Sequence, residues 1–279
     1  MPEGVEVKLS GDLIRPIMFG VGKTITNVYT TRNSRYSSED PEGFIEFKND
    51  LIKGCQVANI STRGKFMYWG FSNDWYMFCT FGMTGQWSPI AGKHPCIVFE
   101  YLDPDKEGVQ KMVFNDPRHF GTIKFTNNPK DLTNKLSELG WDPLQMSFDN
   151  NIKFLTYKLS KTSKGIAEVL MDQSIFCGVG NYIRAEALYL SKLSPWRQAN
   201  KLTKDEIKSL CQAIVTVMEE SYNHQGATIQ TYKTVYGEEG RYSTLFKVYG
   251  QKEDPSGLKV VKQQTPDKRT IHWCPEMQI

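Results

Sequence analysis

Residues 170–186 read LMDQSIFCGVGNYIRAE, and this stretch decides the reading of the second half of the chain. Two helical patterns, 164–173 and 181–192, flank Phe176-Cys177-Gly178-Val179-Gly180-Asn181, a helix–turn–helix with glycines at the turn. Glycines let successive backbone amides point together, and a helix start adds its positive dipole end. Such a turn can cradle a phosphate, with the Asn181 side chain as a further donor. A tight interhelix turn explains the same residues, so the motif alone leaves both readings open.

Outward from this turn, residues 152–224 are helical in pattern. Thr203 and Glu206 have capping-box spacing, followed by Ile207, Leu210, Ile214 and Met218 on one face. After residue 225 the helical period stops. Residues 226–244 read as a loop, and 245–279 as two short strands, Leu258–Lys262 and Thr270–Trp273, around a polar turn. Toward the N-terminus, 127–151 is polar with Pro129 and Pro143 and reads as a connector. Residues 24–125 alternate β-branched and aromatic segments with turn signals, the pattern of an antiparallel sandwich or barrel. Strands are expected at Val57–Ile60, Phe66–Phe71, Trp75–Phe81, Ile97–Tyr101, Lys111–Phe114 and Thr122–Phe125. Val5, Leu9, Leu13 and Ile17 make 4–19 an amphipathic helix that Pro16 is expected to bend or end. The expected fold class is α+β. Its expected parts are a β-sandwich domain (1–128), a linker (129–151) and a C-terminal domain (152–279), the last divided at 225 and 244.

Composition narrows the partners little. The chain has 279 residues and a net charge of +3. Residues 1–150 carry 16 Lys+Arg against 18 Asp+Glu, and residues 151–279 carry 18 against 13, so the second half permits an anionic partner without demanding one. No apolar run has the length of a membrane span, and the N-terminus lacks a signal-peptide pattern, so an intracellular protein is expected. Cys55, Cys79, Cys96, Cys177, Cys211 and Cys274 are scattered, as are the four histidines. No zinc-ligand spacing is present, and buried free thiols are the expected state.

Beside the glycine turn, other stretches could carry chemistry. If Met1 is removed in processing, Pro2 presents a secondary amine with an ordinary α-amino pKa of about 8, able to attack an aldehyde-like carbon as a neutral nucleophile. Glu3 could move a proton in that step, although a plain helix start explains both residues. Asn115-Asp116-Pro117-Arg118-His119-Phe120-Gly121 reads as a turn, and also as an exposed Arg–aromatic pair suited to stacking on bases. Phe81-Gly82-Met83-Thr84-Gly85 puts a methionine at a loop tip, and Arg63-Gly64-Lys65-Phe66 puts a lysine at a hairpin tip.

Taken together and in this order, these residues resemble the formamidopyrimidine-DNA glycosylase / endonuclease VIII family. The matching stretches are Met1–Glu6, Arg63–Lys65, Phe81–Gly85, Asn115–Gly121, Leu170–Glu186 and Asp267–Thr270. The resemblance implies a bifunctional glycosylase and abasic-site (AP) lyase of base-excision repair that forms a Schiff base and cleaves the strand by β,δ-elimination, without metal or redox cofactor. Pro2 would be the nucleophile, Glu3 the general acid/base, and Glu6 a support for the amine and the lesion. Lys65 would contact phosphate and assist strand cleavage. Met83, Arg118 and Phe120 would fill the gap left by the flipped nucleotide, and His94, Asn181 and Arg269 would grip phosphates. The implied partner is double-stranded DNA carrying oxidised bases or abasic sites, with single strands as a further substrate, bound by a monomer in the DNA-containing compartment.

Two departures refine this expectation. Most members carry a four-cysteine zinc finger at the C-terminus, where this chain keeps only Cys274. The pattern resembles the zincless-finger branch seen in vertebrate endonuclease VIII-like enzymes, plant relatives and a giant-virus relative, with Ile271 and Trp273 holding the hairpin by packing. Gly4-Val5 resembles the endonuclease VIII branch, which favours oxidised pyrimidines and hydantoins. Thr228-Ile229 in the 226–244 loop is instead similar to the lesion-capping loop of the branch that prefers 8-oxoguanine and formamidopyrimidines. A catalytically silent DNA-damage binder and an RNA-binding helix–two-turn–helix protein remain as competing readings.

Overall fold

The computed structural model describes residues 2–31, 34–51, 54–229 and 232–279, which form two compact units. The first holds Pro2, most of 6–137 and most of 227–240; the second holds Glu3–Val5, Glu138–Gly226 and Arg241–Ile279.

Helix α1 spans Gly4–Met18 and continues through Pro16. The Lys23 ammonium donates to the carbonyls of Pro16 and Ile17, both at 3.0 Å, which satisfies the helix end and places a cation at its negative pole.

In the first unit, strands β1 (Thr24–Thr30), β2 (Val57–Arg63), β3 (Phe66–Phe71), β4 (Tyr76–Thr80), β5 (Gln86–Ser88), β6 (Pro95–Leu102), β7 (Val109–Asn115) and β8 (Thr122–Thr126) form two antiparallel sheets. Their orders are β1-β6-β7-β5 and β2-β3-β4-β8. Aromatic side chains interleave between them. Trp69 of β3 lies 4.8 Å, centroid to centroid, from Trp87 of β5 and 5.4 Å from Phe99 of β6. This buried aromatic surface is the main stabilising payload of the sandwich. Helix α2 (Phe44–Asp50), which sequence periodicity did not reveal, buries Phe44 and Phe47 and stacks Phe47 on Phe125 at 4.5 Å.

The segment read as a connector contains helix α3 (Pro129–Ser137). Pro129 occupies the first helical position, where a proline loses no hydrogen bond, and the Asn128 side chain accepts from the Lys130 amide at 3.1 Å.

The second unit contains α4 (Phe148–Ser160), a single turn α5 (Ile166–Val169), α6 (Asn181–Leu190) and α7 (Lys204–Asn223). The Thr203–Glu206 capping box is formed, an arrangement that stabilises a helix start by about 1 kcal/mol. The tail hairpin pairs β9 (Val261–Gln264) with β10 (Thr270–Trp273). The first strand thus begins three residues later than expected, because Asp254 folds the preceding residues into a turn, accepting from the Ser256 and Leu258 amides. Ile271 is fully buried and Trp273 packs edge-on against Trp196. Among the described residues, no helix is long and apolar enough to cross a membrane.

His272, buried beside Tyr249, has its pKa pulled below the ordinary 6.5, first by burial and then by Lys262 and Arg184. Its neutral ring is the form the fold accepts. The unfolded chain therefore binds the proton more readily, and this part of the stability is lost as pH falls from about 6.5 through the lower folded value. His272→Asn should lower the thermal midpoint more at pH 7.5 than at pH 5.5. An equal penalty at both pH values would show that the ring's charge state is irrelevant to the hairpin.

Candidate functional site

In the second unit, Glu3 is the best-defined of the candidate side chains. It is buried, and its two carboxylate oxygens accept from the backbone amides of Tyr182 (3.0 Å) and Ile183 (3.4 Å). These amides belong to the first turn of α6, where a helix offers its donors no acceptor of its own, and the N-cap residue Gly180 has no side chain to supply one. The helix dipole favours a negative group here. A carboxylate has about four acceptor positions, so docking in this way is compatible with taking up a proton.

The glycines of the turn are explained by this docking. A Cβ on Gly180 would collide with the Glu3 carboxyl carbon and lie 2.5 Å from its oxygens, and one on Gly4 would lie 2.7 Å from the Gly178 Cα. Gly4 also donates its amide to the Gly178 carbonyl at 2.9 Å. The amides that the sequence suggested for a phosphate are in part taken by an internal carboxylate. Asn181, at the first position of α6, donates its side-chain amide to the Thr270 carbonyl of β10 at 3.0 Å. Arg269 is exposed at the hairpin tip, 2.9 Å from Asp267.

In the first unit, Pro2 is buried and Glu6 is buried with its carboxylate accepting from the Ala227 amide at 2.9 Å. Met1 lies outside the described residues. Lys65 is half-buried on the two-residue tip between β2 and β3, where Gly64 takes φ 53°. Met83, Arg118 and Phe120 sit on two loops that touch: a Cβ on Gly82 would meet the Phe120 carbonyl carbon at 2.5 Å. The Arg118 guanidinium lies 5.2 Å from the Phe120 ring centroid, and both side chains are exposed. His94 is exposed on a cleft of about 450 Å³ that also carries Lys93, Lys233 and Tyr236.

From sequence alone, Asp116 reads only as a turn residue. Its buried carboxylate accepts from the Thr84 hydroxyl (2.5 Å), the Arg118 amide (3.3 Å) and the Gly121 amide (2.6 Å), so it rivets the Met83 loop to the Arg118–Phe120 loop. The Asn-Asp-Pro turn signal marked this residue, but nothing local marked its partner Thr84. The loop read over 226–244 is ordered around Thr228, whose hydroxyl donates to the Tyr232 carbonyl and accepts from the Gly240 amide. Gln86 of β5 donates to the Thr234 carbonyl at 2.8 Å, tying the loop to the sandwich; Gln230 and Thr231 fall outside the described residues.

Among the described residues, no group of three or more His, Cys, Asp or Glu could hold a metal ion. The six cysteines are buried and unbridged, and burial pushes the Cys55 thiol up to about 12. Buried thiols of this kind are poor nucleophiles and poor ligands.

Known proteins resemble this chain over most of its length. The formamidopyrimidine-DNA glycosylase N-terminal domain matches residues 1–123, and the H2TH domain of the same enzymes matches 139–233. The formamidopyrimidine-DNA glycosylase of Lactiplantibacillus plantarum is 30% identical over 227 residues, 78% of this chain and 80% of that protein. The Listeria monocytogenes serotype 4b enzyme of the same name is 29% identical over the whole of both chains. Among solved structures, the MutM (Fpg) protein from Thermus thermophilus aligns with a TM-score of 0.82 at 26% identity, covering 99% of this chain and 98% of that one. The complex between Lactococcus lactis Fpg and an abasic-site-containing DNA has the same fold, with a TM-score of 0.83 at 24% identity and 99% coverage of both chains.

Proposed function

This chain belongs to the formamidopyrimidine-DNA glycosylase family, bifunctional DNA glycosylase/AP lyases of base-excision repair, and on that premise we propose that it excises oxidised bases from duplex DNA with Pro2 as its nucleophile. The observation that carries the reading is the clamped Glu3. A carboxylate that follows the nucleophile in sequence is held in one position by the backbone of α6.

The Pro2 nitrogen, freed of Met1, gives its lone pair to C1′ of the damaged nucleotide, and the glycosidic bond breaks with its electron pair leaving on the base. Glu3 serves as proton donor and acceptor at this step. The sugar ring opens to an iminium. Loss of the C2′ proton sends the C–H electrons to the positive nitrogen as an enamine; their return forms the C2′=C3′ bond and expels the 3′ phosphate, and a second elimination releases the 5′ phosphate. The iminium is itself the electron sink, so the chain's own groups account for the whole sequence. Glu6 supports the amine and the lesion, and Lys65 contacts phosphate and assists strand cleavage. Met83, Arg118 and Phe120 offset the unstacking when the nucleotide is extruded. His94, Asn181 and Arg269 contact phosphates, as a monomer engages one duplex.

The zincless-finger branch is the placement these residues support. The hairpin is closed by packing of Ile271 and Trp273 and by side-chain hydrogen bonds, and Cys274, just beyond it, is buried. Lesion choice within the oxidised bases is a separate matter. The expected preference for pyrimidines and hydantoins leaned on Gly4, and the close approach of Gly4 to Gly178 gives that glycine a packing role. The relatives named for formamidopyrimidine favour the purine reading. Excision rates on duplexes carrying one oxidised pyrimidine, one hydantoin, one 8-oxoguanine or one formamidopyrimidine decide between them.

Arg269→Ala should weaken binding to a duplex with a reduced abasic site and lower the slope of log K against log salt by about 0.9, the loss of one phosphate contact. Its helical circular dichroism should be unchanged. An unaltered salt slope would remove Arg269 from the phosphate contacts.

A further inference from the structure

We propose that Arg184 and Asp267 are positioning residues for Arg269: an ion pair between a buried guanidinium and a half-buried carboxylate that ties the hairpin tip to α6 and holds the Arg269 guanidinium ready for DNA. The inference rests on the reading that Arg269 grips a backbone phosphate.

Arg184 lies one turn beyond Asn181 on α6 and is 0% exposed. It donates through Nη1 to the Ala167 carbonyl (3.1 Å) and to Asp267 Oδ2 (3.4 Å), and through Nη2 to the Thr265 hydroxyl (3.4 Å). A buried guanidinium requires a counter-charge, because its desolvation is otherwise uncompensated. Asp267 supplies it from the turn of the hairpin. The same Oδ2 also accepts from Arg269 Nη1 at 2.9 Å, while Oδ1 accepts from the Arg269 amide at 3.4 Å and lies against the Thr265 hydroxyl. One carboxylate therefore joins a buried cation on α6 to an exposed cation at the tip.

The backbone of the turn depends on the same side chains. The Lys268 amide donates to the Thr265 carbonyl at 2.8 Å, and Lys268 adopts a left-handed φ of 62°. The Thr265 amide donates to the Arg269 carbonyl at 2.9 Å, which closes the turn between β9 and β10. Asn181 adds a second tie from α6 to β10 through the Thr270 carbonyl. These ties fix the main chain on both sides of Arg269. The Asp267 contact then restricts the exposed Arg269 side chain itself, so less rotamer freedom is lost when it meets a phosphate.

A positional role differs from simple support of the fold in one measurable respect: its effect requires Arg269. The test measures dissociation constants for a duplex bearing a reduced abasic site, over a range of salt, for Asp267→Asn, Arg184→Lys, Arg269→Ala and each pair with Arg269→Ala. Single-turnover cleavage of an unreduced abasic duplex at saturating enzyme is recorded in parallel. Asp267→Asn is expected to raise the dissociation constant about tenfold, the scale of one charge-assisted contact, and to lower the salt slope as Arg269→Ala does. Cleavage at saturation should stay near that of the wild type, and Asp267→Asn should add nothing further once Arg269 is alanine. Arg184→Lys, which keeps the charge but loses the fork, should fall between wild type and Asp267→Asn. Equal effects of Asp267→Asn with and without Arg269, or loss of cleavage at saturation, would reduce the pair to a scaffold and overturn the proposal. An Arg269→Ala protein that binds like wild type would overturn the phosphate reading and the proposal together.

Discussion

Borohydride added to the wild-type protein and abasic-site duplex DNA should yield a covalent protein–DNA adduct, and a chain with an uncleaved residue ahead of Pro2 should yield none. The argument is electronic. As a free terminus, the Pro2 nitrogen is a secondary amine whose lone pair is available near neutral pH, since α-amino groups titrate at about 8. Condensation with the C1′ aldehyde of an abasic site gives an iminium, which hydride reduces to a stable amine. In an extended chain the same nitrogen belongs to a peptide bond. Its lone pair is delocalised into the carbonyl, and the residue can no longer form an iminium. Binding of a reduced abasic duplex should persist in the extended chain, because the residues assigned to phosphate contacts are untouched. Pro2→Thr should trap at least about tenfold more slowly than wild type, since a primary amine forms a neutral imine that must gain a proton before hydride can reduce it. An adduct from the extended chain would point to another amine, with Lys65 the first suspect. The same result separates an enzyme from a silent damage binder, which would hold the duplex and give no adduct under any condition.

What was legible in the sequence was what depends on neighbours along the chain. Strand β3 is bounded as expected at Phe66 and Phe71 because its apolar residues and turn signals are local. The start of α7 is written in Thr203 and Glu206, three residues apart. Helix α2 was invisible for the complementary reason. It is one of the shorter helices, its N-cap is a left-handed Gly43 with no capping side chain, and the aromatic partners that stabilise it lie on distant strands. The candidate site divides in the same way. Its residue types were recognisable as a set, but the reasons for them were not. Gly178 and Gly180 read equally as a phosphate cradle and as a tight interhelix turn, and their immediate neighbours are Gly4 and Glu3, from the N-terminus of the chain. Asp116 reads locally as a turn residue and Asp267 as part of a polar turn, and only the folded chain shows each carboxylate serving several donors at once. Local pattern reports which backbone conformations are available; it carries no record of which side chain arrives from elsewhere to use them.

Gly180→Ala should abolish most base excision while leaving the fold and the chemistry at a preformed abasic site in place. The backbone at Gly180 has φ −128° and ψ −158°, a region open to alanine, so the substitution introduces no backbone strain. Its whole effect comes from the added Cβ, which would overlap the Glu3 carboxyl carbon and lie 2.5 Å from both of its oxygens. The carboxyl group is the far end of a flexible side chain and can swing away, whereas the helix cannot. Tyr182 and Ile183 would then lose their acceptor, a cap worth about 1–2 kcal/mol, and the melting temperature should drop accordingly. More important, the group proposed to transfer the proton would leave its position, and loss of a positioned general acid/base typically costs about 10²–10⁴ in rate. Base departure needs that group, because the leaving base must be stabilised as the glycosidic bond breaks. A preformed abasic site has no base to expel, so borohydride trapping by Gly180→Ala should remain. Glu3→Gln should cause a similar loss of excision, and combining the two should add little, since both remove the same function from the same place. Excision at the wild-type rate by Gly180→Ala would mean that the docking of Glu3 on α6 has no part in the reaction. Strictly additive losses would mean that Gly180 acts on some group other than Glu3.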